Sequence, residues 1–447
     1  MADPNNDFCG SDAPDLVTKR EKFIRKLTVL ISGGMFIDGF ILGGVGIVMP
    51  AITNDLHLSS TWQGLIGASA LIGIFFGGPL GGYLADRFGR KPMFTIDLAV
   101  FLIGSVAQFF VSQAPQLMAI RLVMGVAIGA DYAIGWPLLA EFSSARIRGK
   151  LLVLQETAWY VGFLIAYAIG WVLTISESAH WNFILGLSTV PTAIVILLRL
   201  GTPESPRWLM SKGRADEAMA IAADFMDEAE RHDLGEPQGV RGHSFSRLFS
   251  RNYLKSTLFV SIFFVCNVTP YFAIGTFAPV VLQDLGLKDG LTGGLALNAL
   301  AMLGTLVTAF SVERIGRRKL AIAPFYLSAM ALLLVAVLPN APPAIIVTSV
   351  LVFSFVNAVS TSLTALFPSE VFPTEIRGSG TGFATAISRI GAAIGTFLLP
   401  ISIQTLGIST TMLIAAGISL TGGVVTHLLA PETTGKLLSE TVGSTAA

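Results

Sequence analysis

The sequence contains little charge. Only 13% of its 447 residues are Asp, Glu, Lys or Arg, whereas a soluble domain carries about 25%, so most of its surface faces something other than water. The 29 basic and 29 acidic residues give zero formal net charge, which excludes a generally basic chain built to bind nucleic acid. There are two cysteines, Cys9 in a polar stretch and Cys266 in an apolar one, and they predict neither a disulfide framework nor a metal site.

Signatures of other protein classes are also missing. No nucleophile–base set and no nucleotide-binding loop stands out, so we expect neither an enzyme nor a bound cofactor. The charge-rich stretch 201–254 is too short for an ATPase domain. We expect no cleavable signal peptide before the first apolar stretch. About seventeen residues from Pro431 onward are few for the signalling tail of a transporter-like sensor.

Long apolar stretches dominate the sequence. A membrane helix needs about 20 mostly apolar residues, and twelve stretches satisfy this requirement. They lie near 27–52, 62–85, 93–112, 116–141, 150–174, 180–200, 255–283, 291–312, 319–339, 343–370, 377–404 and 408–430. The sequence therefore predicts an all-α membrane protein with twelve transmembrane helices.

The positions of Lys and Arg support this count. With the N-terminus inside, all 29 basic residues except Lys288, Arg121 and Arg389 fall in predicted cytoplasmic segments, as the positive-inside rule expects. We predict an integral protein of the inner or plasma membrane, with both termini cytoplasmic. The predicted parts are a cytoplasmic tail (1–26), a six-helix bundle (27–200), a cytoplasmic helical linker (201–254), a second six-helix bundle (255–430) and a cytoplasmic tail (431–447).

The two halves of the chain repeat each other. An acid-Arg-x-Gly-Arg motif, a Glu followed seven residues later by Arg-Gly, and a Pro-Glu pair each occur once per half, at offsets of 227 to 229 residues. The matching positions are Gly89 and Gly316, Glu141 and Glu370, and Pro203 and Pro431. Three pairs at nearly one offset indicate duplication of a six-span unit, and hence two pseudo-symmetric six-helix bundles.

Seven motifs follow one another along the chain. They are Asp86-Arg87-Phe88-Gly89-Arg90-Lys91, Arg121 with Gly125 and Gly129, Glu141 with Arg148-Gly149, Pro203-Glu204-Ser205-Pro206-Arg207-Trp208-Leu209, Glu313-Arg314-Ile315-Gly316-Arg317-Arg318, Pro368-Ser369-Glu370-Val371-Phe372-Pro373 and Pro431-Glu432-Thr433. Taken in order, these motifs resemble the major facilitator superfamily, in the branch of the sugar porters and the related organic-ion and aromatic-acid proton symporters. The resemblance implies the superfamily's fold, with a small-molecule substrate bound midway between two bundles that rock around it. We expect a monomer whose partners are this substrate, protons and membrane lipids.

The resemblance also implies a cytoplasmic gate. Basic residues in the two short Gly-containing turns can pair with acids at neighbouring helix ends, which would hold the cytoplasmic side closed. The alternative is that these residues serve only to retain topology. The predicted gate residues are Asp86, Arg87, Gly89, Arg90, Asp97, Glu141, Arg148, Glu313, Arg314, Gly316, Arg317, Glu370 and Arg377.

Three ionisable residues in the first half are candidates for proton coupling. A charge within a membrane span is expensive unless it is paired or hydrated. Asp38 lies near the middle of the first span. Related proton-coupled carriers keep an acid there, often paired with the Arg that is here Arg121, so the resemblance implies that protonating Asp38 releases Arg121. A static ion pair is the alternative, and Asp131 in the fourth span is a second candidate for protonation.

Other polar and aromatic residues in the spans are candidates for substrate binding. Arg389, in the eleventh span, needs an anion, which is either a substrate carboxylate or a side chain such as Glu156. Glu156 shares a helix face with Tyr160 and Phe163, and this face either lines a pocket or packs against other helices. The second half adds neutral groups suited to substrate or to interhelix hydrogen bonds: Asn267, Tyr271, Asn298 and Asn357.

Two departures weaken a sugar-specific prediction. Sugar porters carry a Gln-Gln pair early in the seventh span, which is absent here, and a Trp where this chain has Ala365. We expect a secondary transporter, a proton-coupled symporter of a small organic anion or related metabolite. A sugar or polyol porter or facilitator is the alternative, and an exporter or a transporter-like sensor is a further one.

Overall fold

The computed structural model describes residues 14–144, 146–176, 179–199, 203–226, 231–232, 234, 245–276, 290–338 and 341–436. All regular structure in these ranges is helical, without strands. Cys9, Lys288 and parts of the predicted tails and linker lie outside the described residues.

The first half contributes six membrane spans in seven helices. They are α1 (Pro14–Asp55), α2 (Ser60–Phe88), α3 (Arg90–Gln108), α4 (Ala114–Phe142), α5 (Arg148–Ile175), α6 (Trp181–Gly186) and α7 (Thr189–Arg199). The helices α6 and α7 together form the sixth span. Pro191 lacks an N–H and its ring clashes with the carbonyl four residues back, which explains the interruption at Leu187 and Ser188.

The linker contains short helices, and the second half forms six further spans. In the part of the linker that the structure describes, the helices with defined ends are α8 (Pro206–Ser211), α9 (Ala215–Phe225) and a 3-10 helix (Phe245–Phe249). The others are α10 (Leu254–Thr276), α11 (Gly290–Ile315), α12 (Arg317–Val337), α13 (Pro343–Thr361), α14 (Leu366–Val371) and α15 (Thr374–Leu429). The helix α15 holds both the eleventh and the twelfth span, with a non-helical residue, Gly407, between them.

Within the described ranges, the structure confirms the count of twelve helices that are long and apolar enough to span a membrane. The tenth span, predicted as continuous over 343–370, is interrupted by a turn at 362–365. Pro368 causes this break in the same way as Pro191 does in the sixth span, because its ring disfavours a helical carbonyl four residues earlier.

Glycines let helices of the two halves approach closely. A Cβ atom added at Gly78 of α2 would lie 2.5 Å from the carbonyl oxygen of Gly382 in α15, and one added at Gly82 would lie 2.4 Å from that of Gly378. Small residues allow such backbone contact between membrane helices. The two halves therefore pack together beside the residues of the predicted gate.

Candidate functional site

A cavity of about 40 Å³ lies between the two halves, enough for roughly three water molecules. Residues of α1, α4 and α5 form one side, and residues of α10, α13, α15 and the turn at 362–365 form the other. The lining residues are Met35, Tyr132, Trp136, Glu156, Trp159, Tyr160, Phe264, Val268, Tyr271, Phe272, Thr361, Thr364, Thr385, Ser388 and Arg389. Most of them are aromatic or apolar, and a few polar groups converge, which is typical of a small-molecule site.

Arg389 is the basic residue of this wall. Its side chain is 8% exposed, and its guanidinium carbon lies 5.2 Å from the ring centre of Phe272 and 5.7 Å from that of Tyr132. These distances fit cation–π contacts. Among the described residues, Nε and Nη1 of Arg389 have no hydrogen-bond partner. The site therefore presents a desolvated cation with unused donors.

Glu156 is the acid of the same wall. Thr364 donates a hydrogen bond to its Oε1 over 3.2 Å. Glu156 and Arg389 attract each other electrostatically, but within the described part of the chain they form no ion pair at 4.0 Å or less. The structural pair that we considered for Arg389 is therefore not formed with Glu156 in this conformation.

Aromatic side chains complete the cavity. Trp159 donates from Nε1 to the hydroxyl oxygen of Tyr132 over 3.1 Å, which fixes both rings. Tyr160 and Tyr271, one from each half, meet edge to face with ring centres 5.6 Å apart. Phe163, predicted to line the pocket, packs against Trp159 and is not part of the wall. It shares the helix face of Glu156, Trp159 and Tyr160 but lies about one turn further along α5.

The structure does not bring the three predicted asparagines into the cavity wall. Asn357 donates to the carbonyl oxygen of Asn267 over 3.3 Å, which joins α13 to α10. Asn298 accepts from the hydroxyl of Tyr271 over 3.1 Å, so it orients a lining residue from behind. Thr361, which does line the cavity, donates to the carbonyl oxygen of Asn357 over 2.9 Å. These amides serve interhelix contacts, the alternative that their sequence positions left open.

The three candidates for proton coupling are buried in the first half. Arg121 donates from Nη1 to the carbonyl oxygen of Ile41 over 3.5 Å. Ile41 lies one helical turn beyond Asp38, so the guanidinium reaches the helix that carries this acid. Asp38 also acts electrostatically on Tyr132 and Arg389 of the cavity wall. Asp131 is buried in α4 and does not line the cavity.

An ion-pair cluster lies at the end of each half. In the first half, Arg90 bonds to Asp86 at 2.9 Å and to Glu141 at 3.1 Å. In the second half, Arg317 bonds to Glu313 at 2.5 Å and approaches Glu370 at 3.5 Å. The equivalent residues of the repeat thus make equivalent contacts. Both arginines are fully buried, so each depends on its acids for compensation of its charge.

Further contacts cross from one half to the other. Arg377 of the second half bonds to Glu141 of the first at 3.1 Å, and Arg148 of the first approaches Glu370 of the second at 3.8 Å. Asp86 accepts from the backbone N–H and the hydroxyl of Ser379, at 2.9 and 2.7 Å. At the symmetry-related place, Glu313 accepts from the backbone N–H of Lys150 at 3.0 Å. These contacts hold the two halves together at this end.

The two Pro-Glu motifs cap the helices of the repeat. The carboxylate of Glu204 accepts from the backbone N–H groups of Arg90 and Lys91, and Glu432 does the same for Arg317 and Arg318. Each carboxylate thus satisfies orphan donors at a helix N-terminus. Burial raises the pKa of Glu204. For Glu432, burial also acts upward, but its hydrogen bonds outweigh burial and lower the pKa.

Comparison with known proteins identifies the family. A family model described as Sugar (and other) transporter matches residues 18–442. The chain belongs to this family. The inner membrane metabolite transport protein YgcS of Escherichia coli (strain K12) is 38% identical over 413 residues, which cover 92% of each chain. The putative metabolite transport protein YaaU of the same strain is 37% identical, covering 94% of this chain and 95% of that one.

A solved structure shows the same fold. The major facilitator superfamily proton:xylose symporter XylE, bound to 6-bromo-6-deoxy-D-glucose, superposes with a TM-score of 0.81 at 22% identity and covers 95% of this chain and 99% of that chain. The family match and the relatives make this chain an integral membrane transporter. The structural likeness gives it the fold of the major facilitator superfamily, with twelve transmembrane helices in two six-helix bundles.

In this transporter, two predicted gate residues, Arg87 and Arg314, stand apart from the ion-pair clusters. Arg87 and Arg314 are exposed, because they follow Asp86 and Glu313 by one residue, about 100° around the helix. Asp97 is buried two turns from Arg90, and its Oδ1 accepts from the backbone N–H of Leu98.

The sequence prediction of the transporter's sites omitted several residues that the structure places there. They are Tyr132, Trp136, Trp159, Phe272, Thr385 and Ser388 at the cavity, and Lys150, Glu204, Ser205, Ser379, Glu432 and Thr433 at the clusters. Helical spacing could have identified two of them, since Trp159 follows Glu156 by three residues and Thr385 precedes Arg389 by four. The repeated Pro-Glu motifs could have identified Glu204 and Glu432.

Proposed function

We propose that this transporter is a proton-coupled symporter of a small organic anion. The observation that carries the proposal is Arg389, whose buried guanidinium lines the cavity with two nitrogens that lack hydrogen-bond partners among the described residues. A buried cation without a hydrogen-bonded counterion is costly. A substrate carboxylate would supply both the opposite charge and acceptors for a bidentate pair.

Electrostatics supports coupling to protons. The negative charge of Asp38 attracts Arg389. A proton on Asp38 removes this attraction and leaves the positive charge of Arg389 for the substrate. Proton binding therefore strengthens anion binding, and linkage requires that anion binding strengthens proton binding equally. Symport requires that the proton and the substrate favour each other's binding in this way. The pairing of Asp38 with Arg121, and Asp131 as a second protonation site, stay predictions.

Alternating access would use the ion-pair clusters. The cavity is too small for a metabolite of sugar size, so loading requires the halves to separate on one side. Opening at the clusters would break Arg377–Glu141 and Arg148–Glu370, while Arg90 and Arg317 keep their acids within one half. With both termini cytoplasmic, as the distribution of basic residues predicts, these clusters form the cytoplasmic gate.

A sugar or polyol is the second candidate substrate. It is favoured by the family and by the hydroxyl and aromatic groups of the cavity wall, Thr361, Thr364, Trp159 and Tyr271, which suit a neutral ring with many hydroxyls. A neutral sugar supplies no anion for Arg389, and for this reason we place the sugar or polyol second as candidate substrate.

Thermal stabilisation by a metabolite panel tests the substrate class. A ligand that binds only the folded state raises the melting temperature of the purified protein. We expect small carboxylates to stabilise the wild type and matched neutral sugars not to do so. Stabilisation by neutral sugars alone would contradict the anion proposal. Coupling is tested in proteoliposomes, where uptake of the stabilising carboxylate should rise with an inward proton gradient; uptake that ignores the gradient would exclude symport.

A further inference from the structure

One turn of α15 presents two unsatisfied polar side chains to the cavity. Thr385 and Arg389 are four residues apart, hence on one helix face, and both line the cavity. Thr385 is 1% exposed, and its hydroxyl has no hydrogen-bond partner among the described residues, as is true of Nε and Nη1 of Arg389. Buried polar groups are rarely left without partners. Together they offer a cation and a hydroxyl donor to one ligand.

An acceptor group belongs to the same cavity. Glu156, from the other half, receives one hydrogen bond among those in the described part of the chain, from Thr364. A carboxylate has about four acceptor positions, so Glu156 can accept from further donors on a ligand. A hydroxyl group supplies such donors without adding charge.

We infer that the substrate is a hydroxylated carboxylate of the sugar-acid class, with its carboxylate at Arg389 and Thr385 and its hydroxyls at Glu156. This inference rests on the proposed anion transport and makes it more specific. A neutral sugar leaves Arg389 unsatisfied. An alkyl or aromatic carboxylate without hydroxyls adds no donor for Glu156 to the one from Thr364 that the described residues supply, and it buries Glu156 further, which is unfavourable. A sugar acid satisfies both groups and agrees with membership in a sugar transporter family.

Three six-carbon compounds separate the contributions. Gluconate has the carboxylate and the hydroxyls, sorbitol lacks the carboxylate, and hexanoate lacks the hydroxyls. We expect gluconate to stabilise the purified protein with a Kd at least about tenfold lower than either of the others, since each lacks one charged hydrogen-bonding interaction. The zwitterionic amino acid norleucine has an ammonium group in place of the hydroxyls. Because an ammonium group can also donate to a carboxylate, norleucine tests whether the ligand donors at Glu156 are hydroxyls, as we infer, or an ammonium group.

The binding results test the sugar-acid substrate and the transport of organic anions separately. If hexanoate or norleucine binds as tightly as gluconate or more tightly, the sugar-acid inference is wrong while binding of organic anions stands. If sorbitol alone binds, both are wrong. If gluconate and glucuronate both fail to stabilise the protein, the sugar-acid inference is wrong.

Thr385→Val tests the hydroxyl while keeping side-chain volume. We expect gluconate to bind about tenfold more weakly to this variant. Thr396→Val is the matched control, because the hydroxyl of Thr396 also lacks a partner among the described residues but lies outside the cavity wall. The Thr396→Val protein should bind gluconate with the affinity of the wild type. Equal loss in both variants, or none in Thr385→Val, would overturn the assignment. Should Thr385→Val fail to fold, Glu156→Gln gives the second measurement, and it should reduce the preference for gluconate over hexanoate.

Discussion

Arg377 donates from Nη1 to Oε1 of Glu141 over 3.1 Å, and this bond joins the two halves of the transporter. The same oxygen accepts from Arg90 of its own half. When the halves separate, Glu141 therefore loses one guanidinium and keeps another. A buried acid left with no partner would be strongly unfavourable. Sharing the acid between an internal and a crossing arginine lowers the free energy needed to open this end and makes closure reversible.

The shared acid predicts a shift between conformations. Replacing Glu141 by Gln keeps the volume but removes the charge that faces Arg90 and Arg377. We expect the closed state of this end to lose about 1–3 kcal/mol. Hydrogen–deuterium exchange should then rise in the facing helix ends, residues 138–150 and 372–382.

The matched control for this change is Glu217→Gln. It removes the acid of an exposed ion pair with Arg214 in the linker, and surface pairs contribute little. Exchange in 138–150 should stay at the wild-type rate in this variant. Wild-type exchange in Glu141→Gln as well would show that the crossing bond does not hold the gate.

The turn glycines predict a difference in stability. Gly89 has φ +111° and Gly316 has φ +93°, and a Cβ atom at these positions would lie 2.3 Å from Oε2 of Glu204 and 2.7 Å from Oε2 of Glu432. Alanine would introduce backbone strain and displace the capping carboxylate, so we expect either variant to lose about 2–4 kcal/mol. The measurement is thermal unfolding in detergent.

Gly213→Ala separates these two effects. Gly213 also has a positive φ, +76°, but a Cβ atom there meets nothing within 4 Å. Its substitution should show the strain alone, about 1–2 kcal/mol. If Gly89→Ala and Gly213→Ala are equally destabilised, the capping role of Glu204 contributes nothing to stability.

Proton coupling predicts a specific phenotype for Asp38→Asn. Asparagine imitates the protonated acid, so the variant should bind the stabilising carboxylate at least as tightly as the wild type, while uptake loses its dependence on the proton gradient. The measurement is uptake into proteoliposomes with and without the gradient. Asp55→Asn changes a half-exposed acid at the C-terminal end of α1 and should keep the gradient dependence. If uptake by Asp38→Asn still depends fully on the proton gradient, the proton binds to another acid.

Arg389 predicts graded losses of affinity. Arg389→Ala removes the charge and the donors Nε and Nη1, which have no partner among the described residues. The variant should bind carboxylates about a hundredfold more weakly, a loss of nearly 3 kcal/mol. Arg389→Lys keeps the charge without the planar fork and should lose about tenfold. Arg214→Ala, at an exposed linker position, should bind as the wild type does. Unchanged affinity in Arg389→Ala would leave Arg389 with a packing role only.

Some of the residues that the sequence predicted to bind substrate line the cavity and others do not, and their role in binding stays a prediction. Glu156, Tyr160, Tyr271 and Arg389 line the cavity, as expected from ionisable and aromatic residues in apolar spans. Phe163 does not, because it lies on the same helix face about one turn beyond Trp159, and helical periodicity predicts which face a residue occupies but not where along the helix a cavity ends. The asparagines could not be assigned, since an amide suits an interhelix bond as well as a ligand.

The amino-acid sequence by itself determined the twelve apolar spans and the duplication, because hydropathy and motif spacing are properties that can be counted along the chain. Only the tertiary structure decided which buried charges are satisfied. Glu141 and Arg377 are 236 residues apart, and they meet because glycines in α2 and α15 let the halves approach within backbone contact. The same packing places Arg389 beside the rings of Phe272 and Tyr132, and no acid of the described residues forms an ion pair with it. The positive charge of the cavity wall therefore depends on how the two halves pack against each other.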